Sequence, residues 1–357
     1  MYIRRVPTLN VCLLMGSLVM VTEAREQGLT LTCVLMAACM HAVYADTLIR
    51  VDDFGDNPGE IDMYIHVPDN MPAQAPLVVS LHGCRQTAAT YADAGWKVPA
   101  EDWKFYVLYP EQSIRNNPYG CWNWFAAADT QRGEGEAASI MAMIETMQDR
   151  YDIDENRIFV EGLSAGAYMT AVLLAAYPDV FAGGATHAGG PAYCAVTERH
   201  FWDPFGWWFS YTGNLNTRRC LRGLDLSPQD WGERVRQHAP HDYNGPWPVI
   251  SIWHGNADDR VKPVNQDELV DQWTYIHGID RIFDNYVTLG PEGRFMHTEY
   301  HDDRGNVRVE TWQVDGMPHG TAIAVEPGER CGRTQNYILD AGICAARRIG
   351  RFWGLDD

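Results

Sequence analysis

The sequence predicts an α/β fold, a mostly parallel central sheet covered by helices on both faces, with one aromatic-rich insertion. Three observations carry that prediction. Strand-like and helix-like segments alternate along most of the chain. Pro76-Leu77-Val78-Val79-Ser80-Leu81 is a nearly unbroken apolar run, as expected of a strand buried on both sides. The apolar strand Arg157-Ile158-Phe159-Val160-Glu161 passes through a glycine-flanked turn straight into a helical pattern.

The first 45 residues are expected to lie outside the fold. Arg4 and Arg5 precede an apolar stretch from Val11 to Met20, and a second runs from Leu29 to Tyr44. Neither has the length of a membrane span. The second ends Val43-Tyr44-Ala45, which suits signal peptidase and places cleavage after Ala45, so a secreted or periplasmic protein is expected. Met36-Ala37-Ala38-Cys39 is a weaker, lipoprotein-like alternative.

Residues 46–357 then read as one catalytic domain. Met63 to Val67 is a short strand, Pro76 to Leu81 a central one, and Phe105 to Tyr109 another. Ala137, Ile140, Met141, Ile144 and Met147 recur at helical spacing between Glu134 and Arg150. After the strand at Arg157, a helical run reaches Tyr177, where Pro178 stops it. Gly183 to His187 and Val249 to Trp253 continue the strands. Two β-rich runs flank Asp302-Asp303-Arg304-Gly305-Asn306 as a hairpin, and a helix from about Asn336 to Phe352 closes the domain. Between Cys194 and Cys220 the order breaks: Phe201, Trp202, Phe205, Trp207, Trp208 and Phe209 are interrupted by Pro204 and Gly206. That segment is expected to be a loop folded over the core by its aromatics.

Composition narrows the chemistry. With 28 Lys and Arg against 47 Asp and Glu, the net charge of −19 repels phosphate backbones and anionic lipid. Neither nucleic acid nor stable membrane insertion is expected, and nothing specifies an oligomeric state. Outside the leader, the cysteines are Cys84, Cys121, Cys194, Cys220, Cys331 and Cys344, an even set that suits disulfides in an exported chain. No Cys/His spacing suits zinc, and no cofactor or metal is expected.

Gly162-Leu163-Ser164-Ala165-Gly166 is a G-x-S-x-G sequence between a strand and a helix, the setting that forces a serine into a sharp, exposed turn. A serine hydroxyl is a weak nucleophile and needs a base, which needs its own orienting acid. In an α/β-hydrolase these follow in the order Ser, Asp, His. The strand Val249 to Trp253 leads into His254-Gly255-Asn256-Ala257-Asp258-Asp259, where either aspartate can serve as the acid. Val314-Asp315-Gly316-Met317-Pro318-His319-Gly320 then offers a histidine on a loop after a strand. His254 lies too close to the acid loop to be its independent partner, and His277, His297 and His301 fall within elements or on the hairpin. For the oxyanion, the amide of Ala165 and that of Cys84, in Leu81-His82-Gly83-Cys84, are the natural donors.

Further stretches carry a resemblance: Leu81 to Ala88, Tyr109-Pro110-Glu111-Gln112, Cys121-Trp122-Asn123-Trp124-Phe125, Trp253-His254-Gly255 with Ala257-Asp258, and Phe352-Trp353-Gly354-Leu355. With the serine and histidine motifs, the sequence resembles the poly(3-hydroxybutyrate) depolymerase family of esterases, which includes feruloyl and acetylxylan esterases. The resemblance implies an α/β-hydrolase fold and serine ester hydrolysis without cofactor, with Ser164 as nucleophile, His319 as base and Asp258 rather than Asp259 as acid. The expected partner is an ester substrate, a short-chain polyester or its oligomers. The alternative is a feruloyl or acetylated plant polysaccharide; an acyltransferase or a binding protein on the same scaffold is less favoured. Trp122, Trp124, Trp207 and Trp208 are the expected substrate-binding aromatics. Cys84–Cys121 is expected to join consecutive strand-end loops, Cys194–Cys220 to close the insertion, and Cys331–Cys344 to tie the last loop to the last helix.

Overall fold

The computed structural model describes residues 48–195 and 215–357. Its centre is a ten-stranded sheet in the order β1-β2-β4-β3-β5-β6-β7-β10-β9-β8. These strands are β1 (Ile49–Val51), β2 (Asp62–His66), β3 (Ala75–Leu81), β4 (Tyr106–Glu111), β5 (Ile153–Leu163), β6 (Gly183–His187), β7 (Val249–Gly255), β8 (Asn285–Leu289), β9 (Phe295–His301) and β10 (Val307–Val314). From β4 to β10 every pairing is parallel, and antiparallel strands finish both edges.

Alternation along the central strands divides the core into two. Leu77, Val79 and Leu81 of β3, with Ile158 and Val160 of β5, face the helices Gly135–Arg150, Ala165–Ala176, Pro228–His238 and Val264–His277. Val78 and Phe159 point the other way, toward Tyr91, Ala100, Ile349 and Trp353. A strand covered on both sides has no need of polar residues, which is why β3 is apolar at nearly every position and wholly buried. Each of its larger side chains contributes about 1.5–3 kcal/mol through burial.

Strand order reverses between β3 and β5. The chain goes from β3 outward to β4, then returns to pair β5 on the opposite side of β3 before continuing to β6 and β7. Leu81 lies level with Gly162 across that pairing. In open α/β sheets such a reversal leaves a crevice beyond the strands' carboxyl ends, a natural place for a ligand.

The closing helix is shorter than the sequence predicts. It spans Ala345–Phe352, and Ile338–Asp340 instead forms β12, paired in parallel with β11 (Thr321–Ile323). Tyr337 at φ 64° and Gly342 at φ 78° adopt left-handed backbone that no helix can include, so Cys344 becomes the N-terminal cap. All three expected disulfides are present: Cys84–Cys121, Cys194–Cys220 and Cys331–Cys344. Trp202, Trp207 and Trp208 lie outside the described residues. No helix among those described is long and apolar enough to cross a membrane.

Candidate active site

Ser164 stands at the end of β5 with φ 57° and ψ −115°, a conformation that costs a non-glycine residue about 1–3 kcal/mol. Its N–H donates to the carbonyl of His187 at 2.9 Å, and the helix begins at Ala165. The flanking glycines make the turn possible. A Cβ on Gly162 would sit 2.5 Å from the Gly166 carbonyl carbon, and one on Gly166 would sit 2.2 Å from the Leu81 carbonyl oxygen. Removing both side chains lets the turn press directly against the end of β3.

The loop after β3 is held from beneath. His82 is fully buried; its Nε2 accepts the N–H of Gln112 at 3.0 Å, so Nδ1 carries the proton and donates to the Gly83 carbonyl at 2.7 Å. Burial pushes its pKa down to about 4, and the ring stays neutral. Gly83 N–H donates to the Gln86 side chain, which in turn donates to the Asn336 carbonyl. Cys84 is bonded to Cys121, and Arg85 N–H donates to the Tyr119 carbonyl at 3.1 Å.

Trp122 and Trp124 take a different place from the one the sequence predicts. They are 0% and 1% exposed and do not line the cavity. Trp122 spends its N–H on the His82 carbonyl at 2.9 Å, and Trp124 stacks on Tyr168 with ring centroids 4.0 Å apart. Trp122 thus braces the loop from below with its single donor satisfied, and Trp124 packs on the helix that follows Ser164.

Asp258 and His319, expected as acid and base, come from the loops beyond β7 and β10, at the same edge of the sheet as Ser164. β7 and β10 are parallel neighbours, with Gly255 level with Val314, so the loops beyond them emerge together. A Cβ on Gly255 would come within 2.0 Å of the Met317 carbonyl oxygen. Ala257 N–H donates to that oxygen, Asn256 donates through its side-chain amide to Asp315 at 2.7 Å, and Gly316 N–H donates to the Asn256 side-chain oxygen at 2.8 Å. Across this lacing His319 Nδ1 donates to Asp258 Oδ2 at 2.7 Å.

Asp258 is held at every atom. Oδ1 accepts the N–H groups of Arg260 (2.8 Å) and Val261 (3.0 Å), while Oδ2 also lies 3.3 Å from His254 Nε2. Burial pushes its pKa up, but the hydrogen bonds from His254 and His319 outweigh that and keep it well below the usual carboxylate range. Asp259 is exposed. The other histidines are engaged elsewhere: His277 with the Pro248 carbonyl, His297 with Glu310 and His301 with Glu299. His254, set aside as a base, is a second neighbour of the acid that sequence reasoning did not anticipate.

Ser164 and His319 line one cavity of about 450 Å³, a size suited to a small ligand. Cys84 and Cys121 are in its wall, as are Arg85, Arg218, Arg260, Tyr119 and Tyr337, none of which the sequence singled out. Their chemistry gives no motif, since an arginine or tyrosine beside a catalytic loop looks like any surface residue until the fold turns it inward. Among the described residues no cluster of three or more His, Cys, Asp or Glu is placed to hold a metal ion. What the site offers is a strained serine, an imidazole whose far nitrogen is oriented by a charged carboxylate, and two loop-borne backbone segments beside them.

Comparison with known proteins finds relatives among the esterases. Residues 62–200 match the family model described as esterase PHB depolymerase. The chain is 44% identical over 338 residues to poly(3-hydroxyalkanoate) depolymerase C of Paucimonas lemoignei, covering 94% of this chain and 76% of that protein. It is 30% identical over 288 residues to feruloyl esterase B of Talaromyces stipitatus, covering 80% of this chain and 75% of that one. Among solved structures, an acetyl xylan esterase from Aspergillus awamori superposes with a TM-score of 0.69 at 25% identity, covering 87% of this chain and 99% of that chain.

Proposed function

Because the chain belongs to the PHB depolymerase family of esterases and is a serine carboxylic-ester hydrolase, we propose that it cleaves a short-chain polyester, poly(3-hydroxybutyrate) or its oligomers, through an acyl-enzyme on Ser164. The observation that carries the mechanism is the placement of Ser164 and His319 on one cavity with Asp258 bonded to the far nitrogen of His319. Ser164 Oγ forms a bond to the ester carbonyl carbon as His319 takes its proton. The ester C–O bond then breaks, and His319 returns that proton to the leaving alkoxide. Water repeats the sequence in reverse: its oxygen bonds the acyl carbon, His319 takes the proton, and Ser164 leaves with it as the free hydroxyl. Asp258 keeps the imidazole in the tautomer that has Nε2 free for this exchange. The amides of Cys84 and Ala165 are assigned to the oxyanion, each supplying about 3–4 kcal/mol of transition-state stabilisation.

Polyester is favoured over plant polysaccharide by the identity and coverage of the depolymerase relative, which exceed those of the feruloyl esterase. The structural likeness to an acetyl xylan esterase favours the second reading. Trp207 and Trp208 are assigned to polymer contact from sequence alone. Export after cleavage at Ala45 is part of the same proposal; three disulfides fit an oxidising compartment. The test compares the purified protein on amorphous poly(3-hydroxybutyrate), methyl ferulate and acetylated xylan, beside Ser164→Ala. Release of 3-hydroxybutyrate oligomers alone, lost by roughly four orders of magnitude or more in the variant, is the expected result. Ferulate or acetate release without oligomers would overturn the polyester reading, and full turnover by the variant would overturn the mechanism.

A further inference from the structure

The cavity carries a charge opposite to that of the chain around it. Arg85, Arg218 and Arg260 line it, and among the described residues no Asp or Glu does, although acidic residues outnumber basic ones 47 to 28 overall. The three come from separate places: the loop after β3, the helix Leu215–Arg222 and the acid loop after β7. Guanidinium groups gathered on one concave surface focus positive potential where the ester must bind.

Two of the three are oriented. The Arg85 guanidinium lies 5.9 Å from the centre of the Tyr119 ring, and that of Arg260 lies 5.1 Å from the centre of Tyr337. Stacking on a ring engages the face of the guanidinium and leaves its N–H edge for a carboxylate. Neither has a carboxylate partner among the described residues. Tyr337 also meets His319 edge-on, with ring centroids 5.7 Å apart, so Arg260 and the base flank the same ring. His319 delivers its proton to the leaving oxygen, which places Arg260 on the leaving-group side of the scissile bond.

We propose that this cavity selects esters whose leaving alcohol bears a carboxylate, with Arg260 binding that group and Arg85 and Arg218 adding to the field. The inference rests on the polyester reading and sharpens it. In an oligomer of 3-hydroxy acids the carboxyl-terminal unit leaves as an alcohol whose carboxylate is two carbons from the oxygen that takes the proton, within reach of a group beside His319. That carboxylate is ionised at neutral pH. The preferred substrates are therefore soluble free-acid oligomers, trimmed from the carboxyl end, rather than the interior of a neutral polymer chain.

The test uses a matched pair, 3-(butyryloxy)butanoic acid and its primary amide, which present the same butyryl ester and differ only in the charge of the leaving group. At low salt the wild-type kcat/KM on the acid is expected to exceed that on the amide about tenfold, and about 0.5 M KCl should compress the ratio. Arg260→Gln should bring it toward one and Arg218→Gln should lower it less, while Arg260→Lys keeps most of it. A wild-type ratio near one, or a ratio that Arg260→Gln leaves intact, overturns the proposal. Amorphous polymer is assayed alongside. Acid preference without polymer attack removes the polyester reading and leaves charge selection standing; polymer attack with a ratio near one does the reverse.

Discussion

The two halves of the site are built by different forces. Around Ser164 the geometry is imposed by excluded volume: Gly162 and Gly166 pack backbone against backbone, and the strained turn has nowhere else to go. Around Asp258 and His319 it is imposed by hydrogen bonds, with both carboxylate oxygens occupied and the two loops laced through Asn256. A steric frame tolerates no added atom but is indifferent to ionisation. A hydrogen-bonded frame accepts an isosteric change in shape and fails when the chemistry of one donor or acceptor changes.

That contrast can be broken from either side. The largest expected effect is on the hydrogen-bonded half, where Asp258→Asn keeps the shape and supplies the wrong partner to His319 Nδ1. We expect kcat on p-nitrophenyl butyrate to fall roughly 10³–10⁴-fold with little change in thermal midpoint. A loss under tenfold would show that another group orients the base. Gly166→Ala attacks the steric half by adding one methyl group 2.2 Å from the Leu81 carbonyl oxygen. It should cost about 3 kcal/mol or more in stability and carry activity down with it. Calorimetry showing an unchanged midpoint would mean that β3 and the elbow can move apart freely.

The smallest effect lies beneath both halves and depends on pH. Glu161 on β5 is fully buried, accepts hydrogen bonds from Ser80 at 2.5 Å and Tyr91 at 3.0 Å, and lies 3.5 Å from His187 Nε2. Burial lifts its pKa to about 8, while burial drops that of His187 to about 3, so both are neutral at pH 7. Between its ordinary pKa and about 8 the unfolded chain releases the Glu161 proton and the folded one keeps it, so stability falls as pH rises through that window. Glu161→Gln removes this dependence. Its denaturation midpoint should gain on the wild type from pH 5 to pH 8.5, by an amount equivalent to a few kcal/mol at most. Parallel profiles for the two proteins would show that the carboxyl is already ionised in the fold.

Much of this arrangement is legible in the sequence, and what is not has physical reasons. Strands such as β3 and the later part of β5 betray themselves because burial on both faces leaves few polar residues in the run, and the two that remain, Ser80 and Glu161, are bonded to each other. The serine and histidine loops stand out because close backbone contact demands glycine at fixed places. The choice of Asp258 over Asp259 came from resemblance; in the structure it is Asp258 that accepts the Arg260 and Val261 N–H groups. Burial of Trp122 was hidden, since a tryptophan reads the same whether its N–H meets a carbonyl beneath a loop or water above it. The segment from Asn336 to Cys344 misled for another reason: its apolar residues suit a helix, but left-handed backbone at Tyr337 and Gly342 excludes one. Arg218 and Tyr337 reach the cavity through chain crossings that no local pattern encodes.

The bond between Cys84 and Cys121 joins the loop after β3 to the segment after β4, and both residues belong to the cavity wall. It ties the enzyme's maturation to thiol oxidation. A chain that has folded its sheet but not yet oxidised this pair has Ser164, Asp258 and His319 in place, and its cavity wall is held by hydrogen bonds such as those of Arg85 and Trp122 but lacks the covalent link across it. The last link in the cavity wall therefore needs an electron acceptor from outside the chain, whereas every hydrogen bond that supports it is made by the chain alone.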